Sequence, residues 1–534
     1  MLLSRENKNN TSSLKGLYRY EQTIHTAGST ALTLSVTSCH DDADTLVNYS
    51  FNDNLAFAEA ENSYAGKFRV LWNGLNQYYT LWDYEKAHGL DWDQVYDTYL
   101  PQFEALDEQE TVTDAELTKL LKAVVAPLHD GHMYVQMKNH QTGKYVGVSP
   151  SEARYVTRED FEVSEGFEPE LSGYKDNGSF KELQQYDSHV NAQLGAVFAT
   201  KGKGYMWVTD KINELEAKSQ QTDGDAIMLK GLNYFKEQFL KIYFMRMRES
   251  EKLPLYNQLA TECAYLDIPG VELINTGFVD AGISVKYALT SDNIAYFYFS
   301  DFSLTPYLNS DAVQEAFPNL DDSTAEKIAH VRKVWTAWFD AIQTLHKSGQ
   351  LKGVVVDVRS NGGGMMSDQQ YVLGSLLPAG GFQYGWERYK RGTGRYDYSP
   401  LMPMHCETME EPHEVIDDVP VVVLANCRSV SMSELTSLIV KLMPNGRLIG
   451  KRTYGGLCGL TGNEESSDNY SGHIGVENVT PVVVYLPTAT TFTMDKETLE
   501  GVGVTPDIEV DLKDSEDQSD SQLDRALQYI RTGN

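Results

Sequence analysis

Residues 420–446 read PVVVLANCRSVSMSELTSLIVKLMPNG, and this stretch decides the fold. Residues 420–425 (PVVVLA) form a short β-branched apolar run, the mark of a buried strand. After it, Leu435, Leu438, Ile439 and Leu442 recur at helical spacing, and Asn445-Gly446 ends the pattern. Ser431 therefore falls where a strand turns into a helix. Amides at a helix start lack intrahelical acceptors, and the helix dipole there favours negative charge. A serine at that point has its own amide, or the next one, available to an oxyanion.

Working outward, residues 351–377 read LKGVVVDVRSNGGGMMSDQQYVLGSLL. Residues 354–358 are a second buried strand. Asn361, Gly362, Gly363 and Gly364 follow as a loop without bulk, and Ser367 is placed to cap a following helix. Each motif alone is ambiguous. A glycine-rich loop after a strand also serves as a phosphate cradle or a tight turn, and a serine at a helix start is most often only an N-cap. Together they describe an oxyanion hole beside a nucleophile. Upstream, residues 293–302 (NIAYFYFSDF) read as a strand. Ile328, Val331, Trp335, Trp338, Ile342 and Leu345 mark an amphipathic helix. The order strand–helix–strand–glycine loop–helix–strand–serine–helix predicts an α/β core with crossover connections.

Four ordered motifs resemble those of the C-terminal processing peptidase and tricorn protease family of serine peptidases. They are Asp357-Val358-Arg359-Ser360-Asn361-Gly362-Gly363-Gly364, Ser429-Val430-Ser431-Met432-Ser433-Glu434, Gly450-Lys451-Arg452-Thr453-Tyr454-Gly455-Gly456, and Glu500-Gly501-Val502-Gly503-Val504-Thr505-Pro506-Asp507. The resemblance covers residues 290–512, and more weakly 60–135. It implies a Clp protease/crotonase-type core and a peptidase with Ser431 as nucleophile, needing no cofactor and no metal. The oxyanion donors it implies are the amides of Gly363, or its neighbour Gly362, and of Met432.

One departure matters. The branch of the family that uses a Ser–Lys dyad carries its base lysine where this chain has Gly456; Lys451 lies earlier in the motif. The tricorn-like branch instead draws a histidine from far upstream. His132, in LLKAVVAPLHDGHMYVQ (120–136), fits that role, with His129 as its rival. A neutral imidazole suits the removal of a serine proton. A serine precedes this histidine in the tricorn relative, whereas Gly131 stands there here. Glu500 is the expected acid of the constellation. A non-catalytic protein binding peptides or glycans on the same fold is the competing reading.

With 534 residues and 41% apolar content the chain holds several domains. Forty-five basic against 76 acidic residues give a net charge of −31, which disfavours nucleic acid and anionic membranes as partners. The expected partner is a protein or peptide substrate; oligomeric state is not legible. Residues 36–39 (VTSC) resemble a bacterial lipobox. Cys39 is then the lipidated residue, which implies the cell envelope, with the membrane reached only through that anchor. The expected domains are a leader and linker (1–60), an N-terminal helical domain (61–135), a mixed α/β middle segment (136–289), the catalytic core (290–512) and a C-terminal helix (513–534). The middle segment is read as a diverged PDZ-like domain or an insert. Its strand-like pieces are 144–148, 195–199 and 205–210, with a helix near 225–248. Cys263, Cys406, Cys427 and Cys458 are spaced for neither a metal site nor a disulfide framework.

Overall fold

A computed structural model describes residues 62–150, 167–186, 204–244, 249–269, 271, 283–316, 322–392, 394–409, 413–460, 482–512 and 519–534. The expected leader, the lipobox with Cys39 and the strand-like piece at 195–199 lie outside the described residues.

The described residues open with helices α1 (Tyr64–Tyr78), α2 (Trp82–Ala87), α3 (Trp92–Asp107) and α4 (Asp114–Val125). Phe68, Leu71 and Leu75 share one face of α1 and are fully buried with Trp82, Trp92 and Phe103. Thr113 and Glu116 close a reciprocal capping box that starts α4. Strands β1 (Tyr134–Lys138) and β2 (Tyr145–Val148) follow, and their buried residues Val135, Met137, Val146 and Val148 join the same core.

Strand β3 (Phe180–Tyr186) leads into a helical cluster made of residues 204–216, α5 (Asp223–Phe244) and α6 (Glu249–Glu262). Residues 205–210, expected as a strand, are helical. Val208, Ile212 and Leu215 bury at intervals of four and three while Asp210 and Glu214 stay exposed, so the period is that of a helix. The cluster packs around Leu232, Phe235 and Tyr256, a core of its own.

The remaining elements build the core. They are β4 (Val285–Thr290), β5 (Ile294–Phe299), α7 (Asp322–Lys347), β6 (Gly353–Asp357), β7 (Phe382–Tyr389), β8 (Met402–Cys406), β9 (Val421–Ala425), α8 (Met432–Leu442), β10 (Gly446–Gly450), β11 (Val482–Tyr485), β12 (Ala489–Phe492), β13 (Ile508–Glu509) and α9 (Ser521–Thr532). A seven-stranded sheet runs β13-β10-β9-β6-β5-β4-β3. It is parallel from β5 to β13 and antiparallel across β3, β4 and β5. The expected core boundary at residue 290 thus falls inside this sheet.

Every residue of β4, β5, β6 and β9 is buried, as the continuous apolar runs require of strands covered on both faces. Val354, Val356, Val421 and Val423 face α7 and α8. Their neighbours Val355, Val422 and Leu424 face Leu523, Leu527 and Ile530 of α9. Two smaller sheets, β11-β1-β2 and β12-β7-β8, complete the fold. Pairing of Tyr134 with Tyr485 joins a late strand to the N-terminal region. That pairing carries the loop with His132 toward the core.

The end of β6 is fixed by a buried charge. Arg359 is fully buried, its guanidinium 2.9 Å from Asp357 Oδ1, 2.9 Å from Asp520 Oδ1 and 3.0 Å from Gln522 Oε1. Asp520 also caps α9 by accepting the amides of Gln522 and Leu523. One cation thereby ties the start of the glycine loop to the last helix. Removing one member of a buried ionic group strands its partners, at a cost of about 3–5 kcal/mol. Arg359→Met is therefore expected to lower unfolding stability by about that amount. Urea denaturation checks it; an unchanged midpoint would show that the charge network contributes nothing.

Candidate active site

Ser431 sits between β9 and α8 at φ 56° and ψ −115°. For a residue with a Cβ this is a strained conformation, costing about 1–3 kcal/mol and found where surrounding structure over-determines it. Its amide donates to Gly456 O at 3.0 Å and to Glu434 Oε2 at 3.2 Å. The residue is half-buried, so its side chain is reachable from solvent. The next amide, that of Met432, opens the helix and has no acceptor among the described residues.

The glycine loop packs flush against this turn. At Gly363, with φ +91°, a Cβ would stand 2.7 Å from Ser431 Cβ and 2.7 Å from Val430 O, so only glycine fits. The two motifs are laced together by Val430 N to Asn361 O at 3.0 Å and by Ser433 Oγ to Asn361 O at 2.8 Å. The amide of Gly363 donates to Asn361 Oδ1 at 2.9 Å. The expected oxyanion donor is thus engaged, and an anion there would have to displace a neutral acceptor. Gly362 is exposed, with open space around it and no acceptor for its amide among the described residues. Ser367 is not a cap as expected. Its hydroxyl pairs with Thr305 Oγ1, and the helix that follows is only the single turn Gln369–Val372.

Glu434, three residues after Ser431, is fully buried and takes four donors: Ser431 N, Thr453 Oγ1, Gly455 N and Gly456 N. Burial pushes its carboxyl up to about 7, while those donors pull the other way and nearby Glu500 adds to the rise. Glu434 stands within the second motif, where spacing alone gives it no task.

His132 is half-buried, on the turn before β1. Asp130 Oδ1 accepts the amides of His132 at 2.7 Å and Met133 at 3.0 Å. Glu500 is fully buried; its Oε1 accepts Gly131 N at 2.6 Å, and its Oε2 accepts Leu457 N at 2.8 Å and Cys458 N at 2.9 Å. Donor atoms of Asp130, His132 and Glu500 lie within 4.8 Å of one another, a spacing a cation could use. Both Glu500 oxygens, however, already receive amide hydrogens. A continuous path of bonds runs from Ser431 through Gly456 and its neighbour Leu457 to Glu500 and the histidine turn.

The rival groups are occupied elsewhere. His129 Nδ1 lies 2.7 Å from Glu85 Oε2, and its amide donates to Glu85 Oε1. Lys451 pairs with Glu509 and Asp511. Partial burial favours its neutral form, but bonds to Asp511 and Glu509 outweigh this and hold the amine above the ordinary lysine value.

Peptidase family S41 matches residues 315–510. Over this segment the chain is similar to that family. His132 and Asp130 lie outside the S41 segment; Ser431, Glu434, the glycine loop and Glu500 lie inside it. The chain is 25% identical over 170 residues to a carboxy-terminal-processing protease of Bartonella bacilliformis, covering 32% of this chain and 33% of that protein. It is 25% identical over 189 residues to the tricorn protease of Thermoplasma acidophilum, covering 34% and 15%. The match thus spans a third or less of the curated relatives. Among solved structures, a candidate peptidase of Parabacteroides merdae has 18% identity and a TM-score of 0.46, covering 88% of this chain and 96% of the other. The photosystem II D1 C-terminal processing protease has 12% identity and a TM-score of 0.33, covering 84% and 93%.

The elevated carboxyl at Glu434 makes stability pH-dependent. Its value is raised from an ordinary 4.5 to about 7, so the folded chain keeps a proton that the unfolded chain releases between those limits. The resulting stabilisation is full below about 4.5 and lost as pH rises through about 7. Its size is on the order of 3 kcal/mol. The stability difference between wild type and Glu434→Gln should therefore grow in favour of wild type from pH 8 to pH 5. Paired denaturation curves across that range check it, and a constant difference would refute the raised value.

Proposed function

We propose that this chain is a serine endopeptidase of the tricorn-like kind, hydrolysing peptide bonds in proteins or peptides of the cell envelope. The observation that carries this reading is the strained Ser431 turn packed against the Gly363 loop within an S41 segment. Ser431 Oγ attacks the scissile carbonyl carbon while His132 takes the hydroxyl proton. The carbonyl π electrons move to oxygen, where Met432 N–H and a glycine-loop amide, Gly363 or Gly362, stabilise the charge. Collapse expels the amine, which leaves with the proton from His132, and an acyl-serine remains. Water then attacks with His132 again as base, releasing the carboxylic acid and restoring Ser431. Glu500 holds the turn that carries His132.

Peptides of neutral or basic character suit a chain of net charge −31. The lipobox resemblance at residues 36–39 supports an envelope address with Cys39 as anchor. No described helix is long and apolar enough to cross a membrane.

A fluorophosphonate probe tests the nucleophile. It should label Ser431, as read by peptide mapping. Ser431→Ala should lose the label and at least about 1,000-fold in peptide turnover without losing its fold. Turnover retained by that variant at matched purity would remove Ser431 as the nucleophile and turn the search to Ser429 and Ser433, whereas a wild type with neither label nor turnover would leave the non-catalytic reading.

The identity of the base is tested separately. His132→Ala should be inactive and Lys451→Ala close to wild type, because a lysine held above its ordinary value is protonated at neutral pH. Wild-type kcat/KM should rise along a limb with midpoint in the histidine range, roughly 6 to 7.5. The reverse pattern in the two variants would return the chain to the Ser–Lys branch.

A further inference from the structure

We propose that Asp130 is the positioning carboxylate of His132, and that Glu500 serves mainly as a strut for the histidine turn. The inference rests on the peptidase reading above. It concerns a residue outside the S41 segment that sequence reading treated only as half of a turn.

The two carboxylates near the ring are committed differently. Glu500 receives three backbone amides from two separate stretches, Gly131 on one oxygen and Leu457 with Cys458 on the other. A carboxylate offers about four acceptor sites, so three of them are filled by this bracing. Asp130 divides its work by oxygen. Its Oδ1 accepts the amides of residues two and three places on, which makes an Asx turn and sets the backbone of His132. Its Oδ2 is buried, as is His132 Nδ1, and a ring nitrogen of His132 lies within 4.8 Å of a carboxylate oxygen of Asp130 and of one of Glu500. Asp130 is fully buried, whereas His132 is half-exposed. One side chain thus builds the turn and lies beside the ring that the turn presents.

That arrangement has a chemical consequence. A carboxylate beside Nδ1 favours the tautomer protonated there and stabilises the imidazolium formed when Nε2 takes a proton. The base then works through Nε2. In this arrangement Asp130 acts through His132. The other titratable groups packed around the cluster are Tyr79, Cys458, Tyr485, Glu434 and His129 with its partner Glu85. Tyr79, Cys458 and Tyr485 are all pushed above their ordinary values by burial first, with nearby carboxylates adding to it. Glu434 stands behind Glu500, raised by burial to about 7. The ring of His129 is turned to Glu85. Asp130 and Glu500 are therefore the two carboxylates that face His132.

Asp130→Asn separates the roles, because asparagine keeps an oxygen for the two turn amides and loses the anion beside the ring. The experiment uses the full-length protein with a fluorogenic peptide, measuring kcat, KM, melting temperature and the pH profile of kcat/KM. The expected result is a kcat lower by about 100- to 10,000-fold, with KM nearly unchanged. Melting temperature should stay near wild type, and the rising limb of the profile should move to lower pH, since an anion that favoured the imidazolium is gone. Glu500→Gln should lower melting temperature and kcat together. Asp130→Asn with wild-type kcat and an unmoved limb overturns the inference. So does Glu500→Gln that loses kcat at an unchanged melting temperature, which would make Glu500 the orienting acid. A wild-type protein without Ser431-dependent turnover overturns the peptidase reading and this inference together. Wild-type turnover with an unaffected Asp130→Asn overturns this inference alone.

Discussion

Ser431 is held where a residue with a side chain does not rest by choice, and the group that holds it is the carboxylate of Glu434. Four donors converge on that side chain from the serine's own amide and from Thr453, Gly455 and Gly456. The carboxylate is fully buried at the start of a helix, where the dipole tolerates negative charge. Its burial works against ionisation and its donors work for it, and the balance lies near neutrality. The strain at φ 56° persists because releasing it would free several buried amides at once. The glycine loop is held both by Asn361 within it and by contact with the serine turn, on which Gly363 lies flush.

A second buried charge does the same work one layer down. Arg359 joins the end of β6 to the cap of α9 through Asp357 and Asp520. The D-x-R part of the first motif is thus structural in its contacts, and Gly363 beyond it faces the serine. The phenyl ring of Phe167 stacks 3.9 Å from the guanidinium, and Phe167 N donates to Ser360 Oγ, so the middle segment also closes over this point. Motif residues that look alike in a string divide into those that hold the loop and those that border the site.

The core was legible because its signals were strong and local. The runs around Val354 and Val421 are strands buried on both faces, and the Leu435 and Ile439 spacing is that of a helix, which is buried all round from Met432 to Val440. Residues 205–210 were misread because Tyr205, Met206, Trp207 and Val208 make a short apolar run. The helical period emerges only when Ile212 and Leu215 are included. Glu434, Asp130 and the engagement of Gly363 by Asn361 were not legible for a different reason. Each depends on which donor meets which acceptor across distant segments, and spacing along a chain carries no record of that. Lys451 was set aside on motif position alone; the physical ground, two carboxylates gripping it, lies some sixty residues further on at Glu509 and Asp511.

The bond between Gly131 and Glu500 closes a span of 369 residues. During synthesis, then, the serine and the histidine both exist well before the acid that joins their loops. A ribosome must finish the fourth motif before the third can settle around Glu500, and β1 must wait for β11 before its turn is held. Contacts of such separation form late, because the loop-closure entropy comes before the reward. Timing is thereby built into topology: a growing chain carries Ser431 and the histidine turn without the carboxylate that joins them until residue 500 has been made.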